Sequence, residues 1–351
     1  MRLSVLHVAY PLAPVGPDTA GGAEQVLLQL DRALTEHGHT SYVIACGGSR
    51  VAGRLIAADP LPTRLDDEAK RQSQRAHARA IRSALQRFPI DLVHMHGIDF
   101  HAYLPPVGVP TLVTLHLPLS WYPPNALSST RANMWLHCVS WAQHRSAPPN
   151  TYLLPAIENG VDVDSFALRR KRNFALFLGR ICPEKGVHLA IEAAERARMP
   201  LVIAGQVFGY DAHQKYFEEQ VQAKLSRRCR FVGPVGPSAK RKLLAMARCV
   251  LIPSLAEETS SLVAREALAA GTPVIAFARG ALAETIEHGR TGFLVSGTGD
   301  MAAAIPDART LNPEHCRADA RRRFPLSRTI DQYLALYRSL SRAAAPNRML
   351  A

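Results

Sequence analysis

Two carboxylates eight residues apart, Glu258 and Glu266, bracket the run Thr259-Ser260-Ser261 and form the strongest chemical constellation in this sequence. They follow the apolar segment CVLIPS (249–254), and the small hydroxyl residues read as capping residues at a helix N-terminus. Backbone N–H groups near Ser260 and Ser261 can cradle a negative group there. Glu266 then falls about two turns inside the helix. One carboxylate for a hexose and one for a ribose, with a diphosphate between them, is what a sugar nucleotide requires. The same residues also read as an acidic cluster stabilised by the helix dipole.

Other candidates sit at comparable places. The run NFALFLGR (173–180) leads into Ile181-Cys182-Pro183-Glu184-Lys185-Gly186, so Arg180 and Lys185 are five residues apart after an apolar segment. Arg offers a planar fork for phosphate oxygens and Lys a compact point charge, although both could be solvated surface cations. Gly21 and Gly22, in the loop ending Ala23-Glu24, open a helix and allow close backbone approach to an anion. The spacing is not GxGxxG, and a plain tight turn would use the same residues. His116 closes PTLVTLH (110–116), and His94 and His96 close IDLVHMHG (90–97). An HxH pair without further ligands makes no metal site, so those two histidines carry no assigned chemistry. Asp162-Val163-Asp164 is a DxD in a linker rather than after a strand, so it is given no metal.

These residues share a position, the end of an apolar run, and open α/β sheets bind ligands beyond the carboxyl ends of their strands. LSVLHVAY (3–10), SYVIAC (41–46), 90–97 and 110–116 read as strands, separated by helical patterns at 23–38 and 64–88. Prolines crowd residues 105–155, and a linker is expected over 155–172. Strands then recur at 173–180, 199–205, 229–233, 249–254 and 272–277, alternating with helices that include 212–226. The alternation predicts two doubly wound parallel-sheet domains, 1–157 and 158–326, followed by an amphipathic helix over 327–343.

Composition narrows the class. Of 351 residues 47% are hydrophobic and 20% charged, as in soluble globular proteins. No apolar run reaches the roughly 18–20 residues that span a bilayer. The N-terminus reads as a first strand rather than a signal peptide, and six scattered cysteines without a CxxC pair suit a reducing cytosol. Residues 1–160 hold 13 Lys+Arg against 11 Asp+Glu, whereas 161–351 hold 29 against 18, so almost all of the net charge of +13 lies in the second half. A phosphorylated ligand or an anionic membrane could use it; without an aromatic-interleaved basic stripe, nucleic acid is not expected. The 64–88 helix carries Arg64, Lys70, Arg71, Arg75, Arg79, Arg82 and Arg87, and could lie on anionic lipid or simply be solvated.

GGAE (21–24), DLVHMHG (91–97), TLVTLH (111–116), ENGVDVDSF (158–166), GRICPEKG (179–186) and Glu258-x7-Glu266 running into EALAAGTPVIAF resemble, in order and spacing, the family-4 retaining glycosyltransferases of GT-B fold. The likeness covers nearly the whole chain. It implies two Rossmann-like domains facing across a cleft that holds a nucleotide-sugar donor, with the last helix crossing back to the first domain. It further implies that Arg180 and Lys185 bind the donor diphosphate, Glu266 the ribose and Glu258 the transferred sugar. Gly21 and Gly22 would close over the phosphates or admit the acceptor, and His116 would lie near the sugar and reaction centre. Many relatives have Gly-Phe-Gly where this chain has Thr259-Ser260-Ser261, a change that keeps the backbone donors and adds hydroxyls to the sugar pocket. Glu257 adjoins Glu258, and the eight-residue step to Glu266 favours the latter.

The implied activity is retaining transfer of a hexose to a saccharide, lipid-linked or other hydroxyl acceptor, in bacterial polysaccharide or glycoconjugate synthesis. It needs no cofactor and no divalent metal, in a cytoplasmic protein with peripheral membrane contact left open. Trp121 and Tyr122 are candidate sugar-stacking rings or buried aromatics. The alternatives are a sugar-nucleotide epimerase or hydrolase of the same fold, or a catalytically silent nucleotide-sugar-binding scaffold.

Overall fold

The apolar runs become parallel strands, and the periodic segments between them become crossover helices. The computed structural model describes residues 2–60, 65–128 and 131–343. Two compact units divide the chain: one runs to Glu158 and resumes at Thr329, and the other is Asn159–Arg328.

The first unit contains β1 (Ser4–Val8), α1 (Gly22–Glu36), β2 (Thr40–Ala45), β3 (Arg54–Ala57), α2 (Asp67–Arg87), β4 (Leu92–Met95), β5 (Thr111–Leu115), α3 (Pro124–Leu127), β6 (Met134–Cys138), α4 (Trp141–Arg145) and β7 (Leu153–Leu154). Its seven strands lie in the order β3-β2-β1-β4-β5-β6-β7, all pairs parallel. The order reverses between β1 and β4, which places their carboxyl ends at the topological switch point. Leu6, Ile81, Val93 and Val113 are wholly buried in its core. Each such side chain contributes about 1.5–3 kcal/mol. Strands β3, β6 and β7 are additions to the sequence reading. β3 and β7 lie at the two sheet edges with half-exposed side chains, so neither shows a buried apolar run.

In α2 the Asp66 side chain caps the first turn by accepting from the Ala69 N–H at 2.9 Å. The buried face is small, Ser73, Ala76, His77, Ile81 and Ala84, and Arg71, Arg75, Arg79, Arg82 and Arg87 are exposed. Arg64 lies outside the described residues.

The second unit contains β8 (Ala175–Leu178), α5 (Val187–Arg196), β9 (Leu201–Ala204), α6 (Asp211–Tyr216), β10 (Cys229–Phe231), α7 (Pro237–Met246), β11 (Cys249–Ile252), α8 (Leu262–Ala269), β12 (Val274–Phe277), α9 (Leu282–Thr285), β13 (Gly292–Val295), α10 (Thr298–Asp307) and α11 (Pro313–Arg323). Six parallel strands run β10-β9-β8-β11-β12-β13, with the switch between β8 and β11. The helix expected over 212–226 is regular only to Tyr216; it continues as a wider π-type turn through Val221 and a tight turn to Lys224. The edge strand β13 was not foreseen.

The last helix, α12 (Leu326–Ala343), buries Tyr333 and Tyr337 one turn apart, and from Thr329 onward it groups with the first unit. No described helix is long and apolar enough to cross a membrane. All six cysteines are buried as free thiols.

Candidate functional site

In the second unit the carboxyl ends of β8 and β11 are tied together backbone to backbone. After β8, a Cβ at Gly205 would stand 1.8 Å from the Gly179 carbonyl, so the loops after β8 and β9 can touch only through glycine. Pro183–Lys185 form one tight turn closed by Gly186 in the left-handed conformation (φ +65°). A Cβ at Gly186 would fall 2.2 Å from the Pro253 carbonyl. The Leu255 N–H donates to the Glu184 carbonyl at 2.8 Å and completes the seam.

That seam sets Lys185 against Glu258, Nζ to Oε1 at 2.5 Å, and the Ser254 hydroxyl donates to the same oxygen. Burial opposes ionisation of Glu258, but Lys185, Ser254 and the nearby charge of Arg180 outweigh it and hold the carboxyl below its ordinary value. Gly280 (φ +54°) packs on the Glu258 backbone, and Ala281 N–H donates to the Glu258 carbonyl at 2.7 Å. Glu257 turns outward, 3.6 Å from Arg279. Arg180 is half-buried on the loop after β8.

Thr259-Ser260-Ser261 differ from the expectation. Ser261 has φ +50°, which a right-handed helix cannot contain, so α8 starts only at Leu262 and Ser261 makes no side-chain cap. Glu266 is therefore the fifth helical residue, little more than one turn in. The Ser260 hydroxyl is buried with no hydrogen-bond partner among the described residues. Glu266 pairs with Lys240 of α7, Nζ to Oε1 at 2.6 Å. Lys240 was missed by the sequence reading; nothing in local spacing singles it out from the basic run Lys240-Arg241-Lys242.

Asp164 is exposed and bound to Arg321 at 3.1 Å. Cys182, Glu184 and His213 could converge on a cation, their ligand atoms lying within 4.8 Å of one another. Burial pushes the Cys182 thiol up to about 11, which keeps it protonated and disfavours it as a ligand.

Gly21, Gly22 and His116 belong to the first unit. Gly21 precedes α1 in an extended conformation (φ −79°), and Gly22 is the first helical residue. A Cβ at Gly21 would lie 1.8 Å from Glu24 Oε2. Glycine here serves no left-handed angle, and it leaves room for the flexible Glu24 carboxylate, which curls back over the helix start. Tyr122 is buried and its hydroxyl accepts from the Leu117 N–H at 3.3 Å, whereas Trp121 is 40% exposed.

His116 is buried and does not stand alone. Its Nε2 lies 3.1 Å from His96 Nδ1, and His96 Nε2 lies 3.2 Å from His7 Nδ1. A second chain crosses the same sheet. His94 Nδ1 meets the Tyr337 hydroxyl at 2.8 Å, and His94 Nε2 meets Thr114 Oγ1 at 2.6 Å. Thr114 in turn meets His137 Nε2 at 2.7 Å and the Tyr333 hydroxyl at 3.3 Å. His137 Nδ1 faces the Cys138 carbonyl at 3.1 Å, which only a proton on Nδ1 satisfies. The remaining protons follow: Thr114 donates to His137 Nε2, His94 Nε2 and Tyr333 donate to Thr114, and Tyr337 donates to His94 Nδ1.

The HxH pair therefore has neighbours that the sequence concealed, because His7 is set opposite His94 by the β1–β4 register. Ligand atoms of His7, His94 and His96 fall within 4.8 Å of one another. Both nitrogens of His94 and of His96 already have hydrogen-bond partners, so the cluster is explained without a metal. Burial lowers His7 and His137 to about 4 and His116 to about 3, the last helped by His137, and sets His94 and His96 well below the ordinary range.

Comparison with known proteins agrees with this architecture. Residues 161–321 match the family model of glycosyl transferases group 1, and residues 20–148 that of glycosyltransferase family 4. The D-inositol 3-phosphate glycosyltransferase of Geodermatophilus obscurus is 34% identical over 222 residues, 55% of this chain and 48% of that protein. The glycogen synthase of Mycobacterium tuberculosis is 33% identical over 186 residues, 50% of this chain and 44% of the other. The chain thus spans about half the length of the curated relatives it matches. Among solved structures, sucrose-phosphate synthase of Thermosynechococcus elongatus superposes with TM-score 0.80 at 22% identity, covering 97% of this chain and all of the other. Anabaena HepE in complex with UDP-glucose gives 0.75 at 19%, covering 96% and 100%. Two parallel-sheet Rossmann-like units and two matching family models make this chain a member of the group 1, family 4 glycosyltransferases of GT-B fold.

Proposed function

We propose that the protein transfers a hexose, with retention of configuration, from a nucleoside-diphosphate sugar to a hydroxyl acceptor. The observation that carries the reading is the Lys185–Glu258 pair at the strand ends of the second unit, followed by the Ser260 hydroxyl, unpartnered among the described residues, and the start of α8. An ammonium bound to a carboxylate can exchange it for a diphosphate oxygen. Glu258 is then released to accept hydrogen bonds from sugar hydroxyls. Arg180 adds a second cation, Ser260 donates to phosphate, and Glu266, held by Lys240, accepts from the ribose.

In the reaction the bond between the anomeric carbon and the phosphate oxygen breaks, and the acceptor oxygen bonds to that carbon on the same face. The acceptor proton passes to the departing phosphate oxygen. Charge growing on the diphosphate is stabilised by Lys185, Arg180 and the N–H groups at the start of α8, so no divalent ion is required. His116 contacts the transferred sugar, and Gly21-Gly22 close over the phosphates or admit the acceptor. The acceptor is a saccharide or lipid-linked saccharide of polysaccharide synthesis at the cytoplasmic side. The exposed arginines of α2 offer a peripheral contact with anionic lipid, and nucleic acid is no partner. UDP and UDP-glucose are bound by Anabaena HepE, which supports a uridine donor as the first to try.

The test is a thermal-shift screen in EDTA against UDP, GDP, ADP and their sugar conjugates. Saturation at 100 times Kd adds about 2.7 kcal/mol of stability. One nucleotide series should raise the melting temperature, and Lys185→Ala should abolish the rise. No shift at millimolar ligand, or a shift that needs manganese, overturns the reading.

A further inference from the structure

Most of the positive charge of the second half has no part in the transfer, and the fold gathers it on one edge. The strands of the second sheet are parallel, so the turns that lead into them share the edge opposite Lys185 and Glu258. Segments 169–174, 195–200, 225–228 and 247–248 enter β8, β9, β10 and β11, and 307–310 returns to the same edge after α10. Together they hold ten Lys+Arg against two carboxylates, Glu195 and Asp307.

Backbone hydrogen bonds set these turns side by side in the strand order β10-β9-β8-β11. The Leu201 N–H donates to the Arg228 carbonyl, Ala175 to Pro200 and Arg248 to Phe174, each at 2.8 Å. Arg309 joins the row by donating to Asn173 Oδ1 at 3.1 Å. Ser226–Cys229 is a turn closed by backbone hydrogen bonds of 2.9 and 3.2 Å, with Arg227 and Arg228 at its tip. Arg198 follows α5 at φ +51°, a left-handed angle that glycine adopts without strain and arginine does not.

Little on the edge neutralises this charge. Arg172, Arg198, Arg227 and Arg228 are exposed, and among the described residues none of the four has a carboxylate partner. Arg248 Nε is buried with no hydrogen-bond partner among the described residues. Lys171, whose Nζ donates to the Ala245 carbonyl at 2.9 Å, is lowered to about 8 by burial first and by the charge of Arg248 besides. A cation at a helix C-terminus is ordinary, which accounts for one at each of α5, α7 and α10 and leaves most of the ten.

The row has the dimensions of a surface rather than of a site. Neighbouring strands lie about 4.8 Å apart, so four of them extend over roughly 15 Å, more than one phosphate can bridge. The exposed large apolar residues of this unit are Val232 and Leu255, which follow strands at the other edge, and no described aromatic of the unit is exposed. With no ring to stack on a base and no projecting helix to enter a groove, the edge lacks the means to read nucleic acid. Cations without an apolar anchor suit a sheet of anionic headgroups, held by charge alone. A sugar nucleotide is itself an anion and would be repelled from a site turned toward such lipid, whereas contact through this edge turns the strand carboxyl ends away. We propose that the amino-terminal edge of the second sheet is an electrostatic docking surface for a bilayer containing anionic phospholipid. This surface stands independently of the transfer reading and of the arginines on α2.

The experiment is co-sedimentation of the full chain with phosphatidylcholine vesicles, with and without phosphatidylglycerol. Binding should require phosphatidylglycerol and vanish at about 1 M salt, where the Debye length is about 3 Å. Each arginine near the surface changes affinity about fivefold, so Arg227→Gln with Arg228→Gln should weaken binding on the order of 20-fold. Arg227→Lys with Arg228→Lys keeps the charge and should bind as the wild type does, which tells loss of charge from loss of the turn. Arg75→Gln with Arg82→Gln, on α2, should change binding little. A larger loss in the α2 variant than in the Arg227–Arg228 variant puts the contact on the first unit and overturns the proposal. Binding to phosphatidylcholine alone, or to neither vesicle, overturns it as well. So does duplex DNA bound more tightly than vesicles and lost in the same glutamine variant, which would make the edge a nucleic-acid surface.

Discussion

The two sheets share one winding, yet they place opposite kinds of chemistry at their strands. The second unit sets charge against charge, Lys185 on Glu258 and Lys240 on Glu266, with each lysine side chain still 28% and 22% exposed. The first unit buries a neutral network of imidazoles, hydroxyls and two tyrosines almost wholly out of water. An ion pair at the edge of solvent can trade its partner for a charged ligand. A buried neutral network has no charge to trade, and can only hold a group in one orientation. The difference separates binding from orienting, and each can be broken separately.

Acid should give the largest effect. An imidazole lowered to about 4 stays neutral in the folded chain while its unfolded counterpart titrates near 6.5. Its stabilisation is complete above the unfolded value and is lost as pH falls from about 6.5 toward 4, because only the unfolded chain takes up the proton. By pH 5 this amounts to roughly 2 kcal/mol for each ring. Glu258, lowered in the fold, loses its contribution only below the unfolded carboxylate value of 4.5. Hydrogen exchange at pH 7 and pH 5, corrected for intrinsic rates, should therefore show β1, β4 and β5 weakening ahead of β8 and β11. Equal weakening of both sheets would erase the contrast.

Next in size is Lys185→Ala, expected to lower turnover by about 2–4 kcal/mol of transition-state stabilisation. It also strands Glu258 as a buried carboxylate without its cation. Steady-state rates close to wild type would remove Lys185 from the reaction.

Smallest is Ser261→Gly. The φ of +50° costs a serine about 1–2 kcal/mol, part of which glycine gives back through its freer unfolded chain. A gain of up to about 1 kcal/mol in urea unfolding is expected, with Ser261→Ala giving none. A loss in the glycine variant would show that the serine side chain anchors the turn.

The sequence carried the alternation of strands and helices clearly, because central parallel strands such as β1 and β11 are continuous apolar runs. Half-exposed edge strands such as β3 and β13 lack that signature. At the site, Lys185 and Glu258 could each be located by their place after a strand, and the structure brings the two into contact. Lys240 and His7 could not. One reaches Glu266 from a neighbouring helix, and the other reaches His96 through the register of two strands 89 positions apart in sequence. Register and helix packing are properties of the assembled sheet, so no local spacing encodes them. The strained turn at Ser261 was hidden for a related reason: small hydroxyl residues favour helix caps, and only the surrounding backbone forces the left-handed angle.

The hydrogen bond from Tyr337 to His94 joins residues 243 positions apart, and it crosses the whole of the second unit in sequence. A ribosome delivers every strand of the first sheet early and the helix that covers its polar face last. The second unit, Asn159–Arg328, is continuous and can close on its own while the first still waits with wet histidines. The usual order of folding during synthesis, first domain first, would thereby be reversed. The unit that comes first in sequence can complete its contacts only after the other has been made.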